Sequence, residues 1–211
     1  MDQVREKPWL AHYDPGVPPE IQVPDIPLWR FLEESARRFP QNVALEFLGK
    51  TLSYQELWGL ARRFAQGLKD LGVRPGDRVA IMLPNSPQFV IAFYGTLLAG
   101  GVGVNVNPLY TPRELRHQLA DAGAETLVIL DHLLPRYLEV EKEVPVKRVV
   151  VTGIKDFLPF PKNLLYPLKA KRDGLPLGFP KREGFHAFAE LLKRPPAEPH
   201  VPDPEGLALL Q

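Results

Sequence analysis

Residues 78–106 read RVAIMLPNSPQFVIAFYGTLLAGGVGVNV, and the fold follows from this stretch. It opens on one arginine and five apolar residues, the composition of a strand buried on both faces of a parallel sheet. Ser86-Pro87 then sets an N-cap hydroxyl before a proline, whose fixed φ suits the first helical position. The helix through 89–99 is apolar all round, as a helix covered by other elements must be. Gly100-Gly101 breaks it, and residues 102–106 form the next strand. No Asp, Glu, Lys or Arg falls between Arg78 and Arg113, so a membrane span has to be weighed. Pro84, Asn85, Pro87, Gly100, Gly101, Asn105 and Asn107 cut the run into pieces too short to span. A buried strand–helix–strand unit is the better reading.

Upstream, Ser53-Tyr54-Gln55-Glu56 matches a capping box, in which hydroxyl and carboxylate each satisfy an orphan backbone N–H. Behind it Leu57, Leu60, Ala61, Phe64, Ala65, Leu68 and Leu71 form one apolar stripe, with Gly72 at the C-cap. Arg74-Pro75-Gly76-Asp77 is a turn. Before the box, residues 43–48 read as a strand and Gly49-Lys50 as a turn. A helix carrying Leu28, Phe31, Leu32, Ala36 and Phe39 precedes them and is closed by Pro40. Downstream, Thr111-Pro112-Arg113-Glu114 is a second capping box, opening a helix to about residue 122. A strand at 126–130, a helix within 132–143 and a strand at 148–151 continue the alternation.

This pattern predicts a doubly wound α/β unit over 43–152, a mostly parallel sheet with helices on both faces. The expected organisation has four parts. Residues 1–27 are an extended proline-rich arm, and 28–152 the α/β subdomain. Residues 153–206 are a proline-rich, basic and aromatic insertion with one helix at 185–192, and 207–211 begin another strand.

The chain has 211 residues and a formal charge of +1, so it presents no overall basic surface for nucleic acid. It has no cysteine, which excludes disulfides, thiolate metal sites and a cysteine nucleophile. The first residues lack the apolar core of a signal peptide, and a cytoplasmic location is expected. Zero Cys, two Met and 24 Pro fit a thermophilic source.

No phosphate loop of the G-x-x-x-x-G-K-[ST] type occurs. Gly101-Val102-Gly103 precedes its strand rather than following it, so close packing explains those glycines better. The histidines at 12, 117, 132, 186 and 200 lack metal-ligand spacing, and there is no G-x-S-x-G elbow. No catalytic, cofactor-binding or metal residue is assigned. Between Lys155 and Arg182, seven basic residues and two acidic ones mix with Phe157, Phe160, Leu164, Leu165, Tyr166 and Leu168. A solvated loop with its aromatics packed back on the domain is the preferred account. Peripheral attachment to the inner face of the membrane through 155–182 is the alternative.

The segment Leu52-Ser53-Tyr54-Gln55-Glu56-Leu57, the run from Gly72 through Ala80 (GVRPGDRVA) and Leu83-Pro84-Asn85-Ser86 together resemble the opening of adenylate-forming enzymes. The stretches 94–101 (YGTLLAGG) and 105–115 (NVNPLYTPREL) resemble their second landmark, in matching order. The Asn-Val-Asn-Pro-Leu-Tyr-Thr form is similar to fatty acyl-CoA synthetases, as is Phe160-Pro161-Lys162-Asn163-Leu164-Leu165. The resemblance implies the amino-terminal part of a long-chain fatty acid–CoA ligase: ATP and a fatty acid give an acyl-adenylate, and CoA displaces AMP. It implies ATP, CoA and Mg²⁺ for the parent enzyme, and is compatible with a homodimer. The family's phosphate loop, acidic metal residues and catalytic lysine lie beyond these motifs, so the chain alone is expected to be inactive and to bind none of these cofactors tightly. An aryl- or medium-chain acyl-CoA ligase, or a freestanding flavodoxin-like binding module, are the alternatives.

Overall fold

Capping and burial set where each element starts and stops in the computed structural model, which describes residues 7–203 and 205–211. Helix α1 (Trp29–Arg38) leads into the strands β1 (Val43–Phe47) and β2 (Lys50–Ser53). Helix α2 (Tyr54–Asp70) starts at a complete capping box, with Ser53 Oγ accepting from Glu56 N and the Glu56 carboxylate accepting from Ser53 N. Then follow β3 (Arg78–Met82), α3 (Pro87–Ala99), β4 (Val102–Asn105), α4 (Pro112–Ala122), β5 (Thr126–Leu130), α5 (Leu134–Val140) and β6 (Arg148–Thr152). The remainder holds α6 (Lys162–Arg172), β7 (Phe185–Ala187), the single-turn α7 (Phe188–Leu191) and β8 (Leu209–Leu210).

Six strands form one parallel sheet in the order β7-β6-β5-β3-β4-β8. The chain steps from β3 outward to β4, then crosses back over β3 to β5 and proceeds to β6 and β7. Right-handed crossovers in opposite directions require helices on opposite faces. Accordingly α2 packs along α1, α3 and α7, while α4 packs on α5. Val79, Ala80, Ile81 and Met82 are fully buried between the two layers, as are Leu127, Val128 and Ile129. The expected doubly wound sheet is present, with the two-residue strand β8 at one edge.

Four expectations need correction or extension. The strands β1 and β2 are not part of the main sheet; they form a separate antiparallel hairpin through Leu48 (φ 52°) and Gly49 (φ 92°). A two-residue turn can join only antiparallel neighbours, so the parallel sheet begins at β3 rather than at residue 43. In α1 the buried residues are Trp29, Leu32 and Ala36, whereas Leu28, Phe31 and Phe39 are exposed. The helix is rotated toward Trp29, whose indole stacks on Trp58 and donates Nε1–H to His200 O at 3.0 Å. The arm contains a 3₁₀ turn at Pro8–His12; its first six residues lie outside those described.

The 153–206 segment is also more ordered than its prolines suggest. Within the expected 185–192 helix, residues 185–187 instead extend the sheet as β7, and only one helical turn follows. Helix α6 accommodates Pro167 in its interior and escapes a periodicity search because its leucines point outward. Phe157 packs back on the core as expected, but Phe160 does not.

Candidate functional site

In open parallel sheets, ligands bind beyond the carboxyl ends of the strands, where the direction of winding reverses. Here that point lies between β3 and β5. The chain leaves the strands there through residues 83–86 after β3, 106–110 after β4, Asp131–Leu133 after β5 and 153–157 after β6.

Neutral amides line this edge. Gln88, in the first turn of α3, is fully buried and donates Nε2–H to Gly153 O at 3.0 Å, tying the β3 exit to the β6 exit. Gln118 of α4 donates to Asn105 O at 2.8 Å. The side-chain oxygens of Gln88, Asn105 and Gln118 are buried and have no hydrogen-bond partner among the described residues. Asp131, which is 4% exposed, accepts from His132 N at 2.8 Å and lies 3.4 Å from Gly178 N. Asp156 accepts from Thr152 Oγ1 and from Gly153 N, fixing the β6 exit.

The 107–110 turn is held by a residue that spacing did not reveal. Arg136 of α5 donates to Pro108 O at 2.6 Å and to Tyr110 O at 3.0 Å, and Leu109 N donates to Asn107 Oδ1. The two hydrogens of a single nitrogen, Nη1, thus satisfy two carbonyls and tie the two ends of the turn together. Only three-dimensional proximity exposes this role, because Arg136 stands some two dozen residues from the turn.

This edge has little capacity for phosphate or metal. The N-termini of α3 and α4, the natural anion seats, are closed by Ser86 and Thr111, whose hydroxyls accept from Phe89 N and Glu114 N. The Glu114 carboxylate accepts from Thr111 N and Oγ1, and these bonds hold its pKa below the ordinary glutamate range. A negative charge already sits where a phosphate would go. No group of three His, Asp or Glu among the described residues could hold a metal ion. The glycine pair is filled by packing: a Cβ on Gly100 would meet His200 Cδ2 at 2.8 Å, and one on Gly101 would meet Asp77 O at 3.1 Å. The starts of α3 and α4 therefore offer ATP phosphates no open seat, and no acidic cluster among the described residues fits Mg²⁺.

Two cavities flank the sheet, one at each end. One of 620 Å³ sits at the opposite, amino end of β4 and β8, between residues 23–27 of the arm, Leu28, Phe31 and Leu207. Another of 820 Å³ runs along the outer side of α4, from Tyr110 to Gln211. The second holds one hydroxyl–carboxylate pair, Thr111 Oγ1 donating to Glu114, and both groups are spent on capping α4. The five histidines are scattered; burial, with Arg148 nearby, lowers the pKa of His186, which lies on edge strand β7 far from the crossover point. The geometry is that of a scaffold with one polar, amide-lined edge.

Comparison with known proteins places this geometry. The family model described as AMP-binding enzyme matches residues 32–211. A long-chain-fatty-acid–CoA ligase of Bacillus subtilis is 41% identical over 210 residues, which is 98% of this chain and 37% of that protein. One from Yersinia pestis is 41% identical over 163 residues, 76% of this chain and 29% of that protein. The crystal structure of a long-chain-fatty-acid–CoA ligase from Archaeoglobus fulgidus superposes with a TM-score of 0.72 at 24% identity, covering 93% of this chain and 36% of that one. The chain thus spans about a third of the length of the relatives it matches.

Proposed function

Because the chain belongs to the AMP-binding enzyme family, we propose that it is the amino-terminal α/β layer of an ATP-dependent long-chain fatty acid–CoA ligase. In that enzyme a fatty acid carboxylate attacks the α-phosphorus of ATP, giving acyl-adenylate and pyrophosphate. The CoA thiolate then attacks the acyl carbonyl and releases AMP. The observation that carries the reading is the 41% identity with the Bacillus subtilis ligase over 98% of the chain, the proline-rich 153–206 segment included. Nucleotide, Mg²⁺ and CoA are held by residues of the complete enzyme outside this chain. The 211 residues supply the wall on which that chemistry is mounted: a rigid sheet, and at its carboxyl edge a turn locked by Arg136. The absence of cysteine and the high proline content support a thermophilic source.

The test is AMP release with ATP, CoA and either palmitate or 4-coumarate, measured for the 211-residue chain and for the complete protein. Palmitate-dependent AMP from the complete protein, with none above blank from the chain, is expected. Activation by the chain itself, or a preference of the complete protein for the aromatic acid, overturns the reading.

A further inference from the structure

Helix α6 is built inside out. A helix on a globular surface turns its apolar stripe to the core and its charges to water. In α6 the residues facing the protein are Asn163, Tyr166, Pro167 and Ala170, while Leu164, Leu165 and Leu168 are 65%, 57% and 69% exposed. Phe160, in the turn leading into the helix, is 78% exposed. With about 3.6 residues per turn, Leu165, Leu168 and Arg172 share the centre of the outward face. Leu164 and Lys171 lie along one margin, Lys162 and Lys169 along the other.

The charges match this face to one kind of surface. Residues 155–182 carry Lys155, Lys162, Lys169, Lys171, Arg172, Lys181 and Arg182 against only Asp156 and Asp173. Lys162 donates to Leu48 O, and Arg172 lies 3.4 Å from Asp173. Among the described residues, Lys169 and Lys171 enter no ion pair. Arg182, farther along, is paired with Glu141. Four large exposed apolar side chains flanked by two unpaired lysines are poorly explained by a solvated loop. No helix among the described residues is long and apolar enough to cross a membrane. At eleven residues α6 suits lying in the plane of an interface.

We propose that α6 and Phe160 form a docking surface for an anionic lipid bilayer. The leucines and Phe160 enter the boundary between headgroups and acyl chains, and Lys169, Lys171 and Arg172 meet lipid phosphates. The helix follows the carboxyl end of β6, and Tyr166 lies close enough for the Asp131 charge to act on its hydroxyl. Docking by α6 therefore turns the amide-lined carboxyl edge of the sheet toward the lipid. The argument rests on α6 alone and stands whatever acid the complete protein activates.

The experiment is vesicle co-sedimentation at low and high salt, with phosphatidylcholine alone and with about a third phosphatidylglycerol, since the attraction depends on anionic lipid and is screened by salt. Two variants are compared with the native chain: Leu164→Gln/Leu165→Gln/Leu168→Gln and Lys169→Glu/Lys171→Glu/Arg172→Glu. Every substituted side chain is exposed, so circular dichroism and melting midpoints should match the native protein. Binding to anionic vesicles at low salt is expected, weakened about tenfold or more by either variant and by high salt. Absence of native binding, or equal binding by the charge-reversal variant, overturns the proposal. So does a native dimer in sedimentation velocity that the leucine variant converts to monomer, which assigns the face to a second copy. The same assay on the complete protein must also show binding; its loss there means other residues cover α6.

Discussion

Ser53 and Thr111 each cap a helix with a hydroxyl, and in each box a glutamate three residues on closes the ring of hydrogen bonds. Both boxes were legible because they need only four consecutive residues and no tertiary contact. Ser53→Ala and Thr111→Ala should each cost about 0.5–2 kcal/mol, read as a shift in the denaturation midpoint. The complete enzyme's turnover should be nearly unchanged. A fall in turnover by orders of magnitude at unchanged stability would make these residues catalytic instead. The boxes also set a pH dependence. The backbone N–H bonds hold the pKa of Glu56 and Glu114 below about 4.5 in the folded chain. The unfolded state then binds more protons in acid, so this contribution is present above the unfolded value and lost as pH falls through the folded one. Glu56→Gln/Glu114→Gln should flatten the stability profile below about pH 4.5, and an unaltered acid limb would contradict the sign. Arg136 and Arg148 were not legible at this scale. Arg148 donates to Leu71 O and Gly72 O at the end of α2, and neither the residue type nor its neighbours announce a partner more than seventy residues back.

At the scale of elements, the packing of α2 on α3 depends on a glycine. A Cβ on Gly95 would stand 2.7 Å from Phe64 Cδ1 and 3.1 Å from Ala61 O, and Phe64 is fully buried with no room to yield. Gly59, in α2, meets nothing within 4 Å. Alanine favours a helix over glycine by about 1 kcal/mol, whereas overpacking a core costs about 1–3 kcal/mol. Gly59→Ala should therefore stabilise the fold by about 0.5–1 kcal/mol. Gly95→Ala should destabilise it, and urea denaturation of the pair checks the opposite signs. Equal signs would show that the two helices are not in such close contact. The sequence announced α2 through α5 with few errors because burial imposes period and caps impose ends. It placed α1 but misread part of its buried face, and it missed α6. Trp29 shifts the buried face of α1 by one residue through a bond to His200, and α6 hides its period by presenting leucine to the outside.

For the whole molecule, the least legible feature is the strap that follows α7. Residues 194–200 have no periodicity, yet they bind three helices together. Ala197 N donates to Arg62 O and Arg62 Nε donates back to Ala197 O, His200 N donates to Leu98 O, and Trp29 Nε1 donates to His200 O. Lys69 Nζ donates to Glu198 O, and Arg62 also pairs with Glu198. Each contact joins residues separated by about a hundred positions or more, so no local pattern could have found them. Arg62 is the hinge of this arrangement. Arg62→Met keeps the aliphatic stem beside Trp58 but deprives the Ala197 carbonyl of its donor. Leaving a partly buried carbonyl without its bond costs about 1–3 kcal/mol. That cost should fall first on the strap, which these bonds hold to the helices, and only then on global unfolding. Amide hydrogen exchange separates the two. In Arg62→Met, the Ala197 and His200 amides should exchange well before those of β3 and β5, whereas in the native chain they should be protected more nearly alike. A uniform loss of protection across strap and sheet would mean that the strap unfolds only with the core, and that Arg62 contributes to global stability rather than to holding one segment in place.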